Sequence, residues 1–317
     1  MFSAGSGGDA GTSDSDALLP GPLAAFYQGK RVLAVGGSKG IGRGVALQAA
    51  ALGAGAVHVV GSSGAGERTV EQMRSDAAGR TKGGQGQDLR FIRADLSTAD
   101  GCRQLAEQLS TLAALDSKHL AYDVVVFTVG QWPDLRSGQP LTPAGYEKGV
   151  FLAVVARFAV FQALKRKNLL SGSASVVSVL ASAQQTPPAM LLPGGSDSRF
   201  RDEFLPSMLR AQNASFAPGL ASTLMAEMTM GDAMLLGLAG ENPGMRFIGT
   251  MPGLIATTLG RTALSEWVLS ALFFAARLLG VTLSERRCGL HHLAIARGVA
   301  EPGGGDTNWS FWDHYLV

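Results

Sequence analysis

Near the start of the chain, Val35-Gly36-Gly37-Ser38-Lys39-Gly40-Ile41-Gly42 crowds glycines around one serine and one lysine. Such a loop can offer backbone N–H groups, a hydroxyl and an ammonium to a phosphate. Two more hydroxyls follow at Ser62 and Ser63. Side chains suited to proton transfer are scarce downstream. No lysine occurs after Lys167, and the tyrosine that follows Tyr146 is Tyr315. Arg157 interrupts the apolar run Val150–Phe161, and a charge in such a setting is normally paired or functional, with Asp232 as a candidate partner. Ser182 follows an apolar strand, where it either orients a carbonyl oxygen or serves as an ordinary turn residue. Glu227 lies four residues after Thr223, so the two share a helix face; the preferred reading is a solvated or capping carboxylate.

The elements needed to position these groups can be read beside them. Arg31–Val35 is a short apolar run containing β-branched residues, which suits a buried strand, and from Ile41 the chain turns helical until Gly53. A strand that turns on glycines into a helix places free N–H groups at the positive end of the helix dipole. Further strands are expected at Ala56–Val60, Phe91–Ala94, Asp123–Phe127, Ala174–Leu180 and Met245–Met251, and a last one around His291 and His292. Alternation of such runs with helical stretches predicts an α/β fold: a doubly wound parallel sheet between two helical layers.

The glycine spacing Gly36-x-x-x-Gly40-x-Gly42 resembles the short-chain dehydrogenase/reductase superfamily. Other segments match in the right order, over roughly residues 30 to 297: Asp95-Leu96 after the third strand, Phe127-Thr128-Val129-Gly130 after the fourth, and Pro252-Gly253-Leu254-Ile255-Ala256-Thr257 after the sixth. The resemblance implies a Rossmann fold and a nicotinamide cofactor. The glycine loop (Gly36, Ser38, Lys39, Gly40, Ile41, Gly42) would meet the diphosphate, Asp95 and Leu96 would border the adenine, and Gly130 would line the site. The Pro252-Gly253 turn, Ile255 and Thr257 would hold the carboxamide and the diphosphate. The second strand closes on Gly61-Ser62-Ser63 with no acid to bind a ribose diol, and Lys39 sits in the loop. Two hydroxyls and an ammonium, with Arg68 nearby, suit a 2′-phosphate, so NADP(H) is expected over NAD(H).

The same resemblance exposes what is missing. The superfamily's proton donor is a tyrosine made more acidic by a lysine four residues later, with a serine and an asparagine completing the relay. The tyrosine position falls near Ser222 to Leu224 and the lysine position near Ala226 to Met228, where neither residue type occurs. Ala153 stands for the asparagine, and Ala181 or Ser182 for the serine. An NADP-dependent oxidoreductase with an atypical site is the first expectation, its substrate a small apolar carbonyl, imine or conjugated compound. A non-redox isomerase or cyclase and a nucleotide-binding protein without turnover are the alternatives.

Composition sets bounds. With 317 residues and 46% hydrophobic content, the chain can bury one large core. A net charge of +2 without basic runs argues against nucleic acid as a partner. Cys102, Cys288 and five scattered histidines form no metal motif, and a reducing, cytoplasmic setting is expected. Residues 1–24 read as a disordered tail and 25–317 as a single domain. Within it, 183–219 form a lid and 263–280 an apolar substrate-side helix. That helix is too short and charged to span a bilayer, though shallow membrane contact fits it. Homo-oligomers are common in the superfamily.

Overall fold

A computed structural model describes residues 20–78, 86–115, 121–131, 141–179, 220–251, 284–298 and 309–313. Seven strands run β1 (Arg31–Val35), β2 (Ala56–Gly61), β3 (Asp88–Arg93), β4 (Tyr122–Phe127), β5 (Leu170–Val179), β6 (Arg246–Met251) and β7 (Trp309–Asp313). All pair in parallel, in the order β3-β2-β1-β4-β5-β6-β7. Alternate residues of one strand enter opposite cores, as the two-residue period requires. Leu33 and Val35 pack with α4 (Ala99–Leu115), whereas Val32 and Ala34 pack with α2 (Gly40–Ala51) and α3 (Ala65–Ala78). The sheet is therefore buried on both faces between helices, the three-layer Rossmann arrangement.

After β4 the chain enters one continuous helix: α5 (Lys148–Val150), a π-helical segment (Phe151–Ala156) and α6 (Arg157–Arg166). Helix α7 (Leu220–Glu241) follows β5 in sequence and packs on the same face of the sheet. Helix α8 (Glu285–Arg297) crosses to the other face and lies against α2. The crossing is very close. A Cβ at Gly44 would overlap the Glu285 carbonyl oxygen, and one at Gly289 would overlap the Gly44 backbone. Arg43 pairs with Glu285 at 2.9 Å, and Arg286 with Asp76 of α3 at 2.6 Å.

Two expectations are corrected. His291 and His292 lie in α8, because Ser284 caps that helix by accepting from Arg287 N, and its buried residues recur on one helical face. The last strand is instead Trp309–Asp313. The described residues also begin before residue 25. Helix α1 (Pro20–Tyr27) buries Leu23 and Tyr27 against α8, and the Tyr27 hydroxyl donates to Leu293 O at 2.7 Å. Residues 1–19 and the two segments assigned to a lid and a substrate-side helix, 183–219 and 263–280, lie outside the described residues. Cys102 and Cys288 are free and buried. No described helix is long and apolar enough to cross a membrane, and no described cluster is suited to a metal.

Candidate functional site

Parallel strands end together, and the loops leaving β1 to β4, with the end of β5 at Val179, line a groove of about 410 Å³ at their carboxyl ends. It lies where the strand order reverses, between β1 and β4, the usual ligand crevice of doubly wound sheets. Every cofactor residue expected before β5 lines it: Gly36, Ser38, Lys39, Gly40, Ile41 and Gly42 after β1, and Ser62 and Ser63 after β2. Asp95 and Leu96 after β3, and Gly130 after β4, complete that set. Ser182, Pro252, Gly253, Ile255 and Thr257 lie outside the described residues.

The loop after β1 has the features of an anion cradle. Gly36 has φ 91°, and a Cβ there would stand 2.6 Å from Val129 N, so the turn needs glycine twice over. The cap of α2 is the extended Lys39, which makes no side-chain capping bond. Among the described residues, nothing accepts from the N–H groups of Gly40, Ile41 or Gly42. Ser38 is 8% exposed, and its buried Oγ has no hydrogen-bond partner. An orphaned hydroxyl beside an uncapped helix terminus fits a phosphate group of a dinucleotide.

Beyond β2 the charge pattern is informative. The carboxylate nearest the Ser62–Gly64 turn is that of Glu67, on α3, and Arg93 holds it at 3.3 Å. Arg93 therefore adds a cation that the sequence reading passed over, while Arg68 is exposed and does not line the groove. Asp95 accepts from Ser97 N at 3.0 Å and Ser97 Oγ at 2.7 Å. Burial pushes its carboxyl up, but those two bonds and the Lys148 charge outweigh it and hold the group below its ordinary range.

Beneath the groove lies a charged cluster. Arg157 is not among the residues that line this cavity; it is 1% exposed. Its guanidinium donates to Val129 O (2.6 Å), Ser178 Oγ (2.6 Å) and Val179 O (2.7 Å). Val129 and Val179 are themselves groove residues, so Arg157 ties the ends of β4 and β5 together under the floor. The carboxylate whose charge acts on it is Glu227 rather than Asp232. Glu227 is neither solvated nor a cap. It is 5% exposed, and its Oε1 accepts no hydrogen bond and packs onto Gly149. A second buried acid, Glu147, caps α5 by accepting from Gly149 N (3.0 Å) and Val150 N (2.6 Å). Burial, and then the Glu147 charge, push Glu227 up to about 8, with Arg157 opposing them. Arg157 is itself lowered to about 10 by burial, against the pull of Glu227. Sequence signals for this cluster were faint. Glu147 stands three residues before Val150, a capping spacing, but nothing in the Met- and Ala-rich α7 separates a buried Glu227 from an exposed one.

Strand order, parallel pairing and the crevice define the fold of short-chain dehydrogenase/reductase proteins. Solved structures share it over most of the chain. They include a short-chain dehydrogenase/reductase of unknown function from Caenorhabditis elegans with cofactor (19% identity, 90% of this chain and 93% of that one, TM-score 0.60). A 3-oxoacyl (acyl-carrier-protein) reductase from Agrobacterium tumefaciens C58 with NADP bound is similar at 16% identity, covering 94% and 98%, TM-score 0.58. The reductase/Diels-Alderase MalC from Malbranchea aurantiaca matches at 19% identity, covering 90% and 95%, TM-score 0.60. No family model matches the sequence. No curated protein matches it either.

Proposed function

We propose that this chain is a short-chain dehydrogenase/reductase with an atypical site, an oxidoreductase that binds NADP(H) and acts on a small apolar carbonyl, imine or conjugated substrate. The observation that carries this reading is the uncapped terminus of α2 at the crevice where the strand order reverses, with the orphaned, buried hydroxyl of the lining residue Ser38 beside it. The N–H groups of Gly40, Ile41 and Gly42, with Ser38, would hold the diphosphate. Lys39, Ser62 and Ser63 would surround a 2′-phosphate, and Arg93 pairs with the Glu67 carboxylate beside that turn. Asp95 and Leu96 would border the adenine, and Gly130 and Val179 would wall the inner end. A bound nicotinamide supplies or accepts a hydride. The chain's own contribution is to orient that ring against the strand ends tied by Arg157, and to keep its surroundings apolar.

Calorimetric titration with NADPH, NADP, NADH and NAD tests this. NADP(H) should bind more tightly than NAD(H), and Lys39→Ala should weaken NADPH roughly tenfold while leaving NADH little changed. Equal loss for both nucleotides would refute the assignment of Lys39 to the 2′-phosphate. If none of the four binds, the reading of the groove fails.

A further inference from the structure

We infer that Glu227 is the proton-carrying residue of this site, kept as a neutral carboxylic acid by the buried Glu147, with Arg157 as the cation that stabilises it once the proton leaves. The inference rests on the reading of the groove as a nicotinamide site and deepens it. It begins with position: Glu227 falls within the stretch where the superfamily's lysine would stand, so this chain has put an acid in place of a base. A lone carboxylate there would leave buried charge uncompensated. Glu227 is 5% exposed, and its Oε1 has no hydrogen-bond partner.

The surroundings specify its state. From α5 comes Glu147, whose two oxygens are committed to Gly149 N and Val150 N and so cannot take a proton without loss of the cap. At the junction of the π-helical segment and α6 stands Arg157, whose hydrogen bonds go to Val129 O, Ser178 Oγ and Val179 O. On α7 itself, Asp232 lies more than a turn further on, and Lys148 faces the groove. Burial raises Glu147 as well, but the bonds it accepts from Val150 N and Gly149 N oppose that rise, so the proton is assigned to Glu227, whose Oε1 has no hydrogen-bond partner. Burial and the like charge of Glu147 raise it, and Arg157 opposes them less strongly. A Cβ added at Gly149 would meet both Glu227 Oε1 and Gln131 O, so the two oxygens flank that glycine, and Gln131 and Lys148 both line the groove. The acid thus sits one residue's thickness from the crevice. Gly149 is part of the design, since any side chain there would strike Glu227 and Gln131.

The step implied is a plain proton transfer: the Glu227 O–H bond breaks as its proton passes to the substrate oxygen or nitrogen made basic by hydride addition, forming an O–H or N–H bond there and leaving a carboxylate opposite Arg157. An oxidised nicotinamide carries a positive ring, so its arrival should favour the ionised acid. Two measurements on the full-length protein test this. The first is thermal stability without nucleotide, wild type against Glu227→Gln, between pH 5 and 9. A folded acid titrating near 8 loses stability as pH rises from its unfolded value of 4.5 toward 8. The glutamine, unable to ionise, should not. The Tm advantage of the variant should therefore widen by at least about 3 °C over that range and then level off. Parallel profiles would mean that Glu227 is ionised throughout and would overturn the inference.

The second is calorimetry of NADP and NADPH binding at pH 7.5 in two buffers of different ionisation enthalpy. NADP should release a measurable fraction of a proton from wild type and none from Glu227→Gln, whose NADPH affinity should stay within about threefold. Glu147→Gln, which removes the like charge while leaving Glu227 in place, should shift the midpoint of proton release to lower pH. Equal proton counts in wild type and Glu227→Gln would overturn the inference while leaving the cofactor reading intact. Absence of nucleotide binding would defeat that reading itself, and the stability profiles would still report whether Glu227 holds a proton.

Discussion

Arg157 shows how a single charge can be buried when the backbone supplies its partners. Its guanidinium spends its donors on two strand-end carbonyls and a hydroxyl, and its charge faces an acid. Replacing it by methionine keeps the volume but leaves Val129 O, Ser178 Oγ and Val179 O without their donor. The expected loss is about 3 kcal/mol, read from urea denaturation midpoints. NADPH affinity should fall as well, because the strand ends that wall the groove would be released. Arg157 was conspicuous in the sequence because it breaks an apolar helix, yet the sequence could not say which way it points. Glu227 was visible but misread. Helix α7 is apolar nearly all round, so periodicity could not assign Glu227 to a face. The loop from Gly36 to Gly42 was legible in full, because its chemistry depends on backbone geometry that glycine spacing encodes locally.

Among elements, the helices that meet at glycine are the most sensitive to change. Gly289→Ala would drive a methyl into the Gly44 backbone, and neither helix can shift without disturbing the Arg43–Glu285 pair. We expect about 2 kcal/mol of destabilisation by urea melt, larger than that of an alanine at exposed Gly237, where nothing lies within 4 Å. The strands β1, β2, β4, β5 and β6 were readable from their β-branched runs, with boundaries moved by a few residues. Strand β7 was not: five residues of Trp309-Ser-Phe-Trp-Asp313 read equally well as a packed tail, and only pairing with β6 makes them a strand. The π-helical segment Phe151–Ala156 was invisible as well. Its sequence, Phe-Leu-Ala-Val-Val-Ala, fits an ordinary helix, and the wider turn is a property of the packed helix rather than of its residues.

For the molecule as a whole, two buried groups set opposing slopes of stability against pH. His292 is held neutral, its Nδ1 donating to Cys288 O at 2.8 Å and its Nε2 accepting from Thr250 Oγ1 at 3.0 Å. Burial lowers it from 6.5 to about 4, so stability falls as pH drops through that interval, where the unfolded chain takes up a proton that the folded one refuses. Glu227 acts in the other direction, between 4.5 and about 8. The two slopes oppose each other between about 4.5 and 6.5, and a broad maximum in Tm is expected there, with decline on both sides. Scanning calorimetry across pH 4 to 9 measures it, and His292→Gln should flatten the acid limb alone. A maximum at pH 8 or above would contradict the assignment of Glu227.

The contact between α2 and α8 also has a consequence in time. Residues 40–51 carry the N–H groups of the nucleotide loop, yet their backbone rests against a helix that starts at Glu285. On the ribosome, the loop is made well before its buttress. A nascent chain stalled before residue 285 would hold every glycine of the motif and still lack the surface that fixes the helix beneath it. Nucleotide capture should therefore switch on abruptly as α8 clears the exit tunnel, rather than rise gradually with length. Stalled chains of graded length, probed with an immobilised NADP analogue, would show that step.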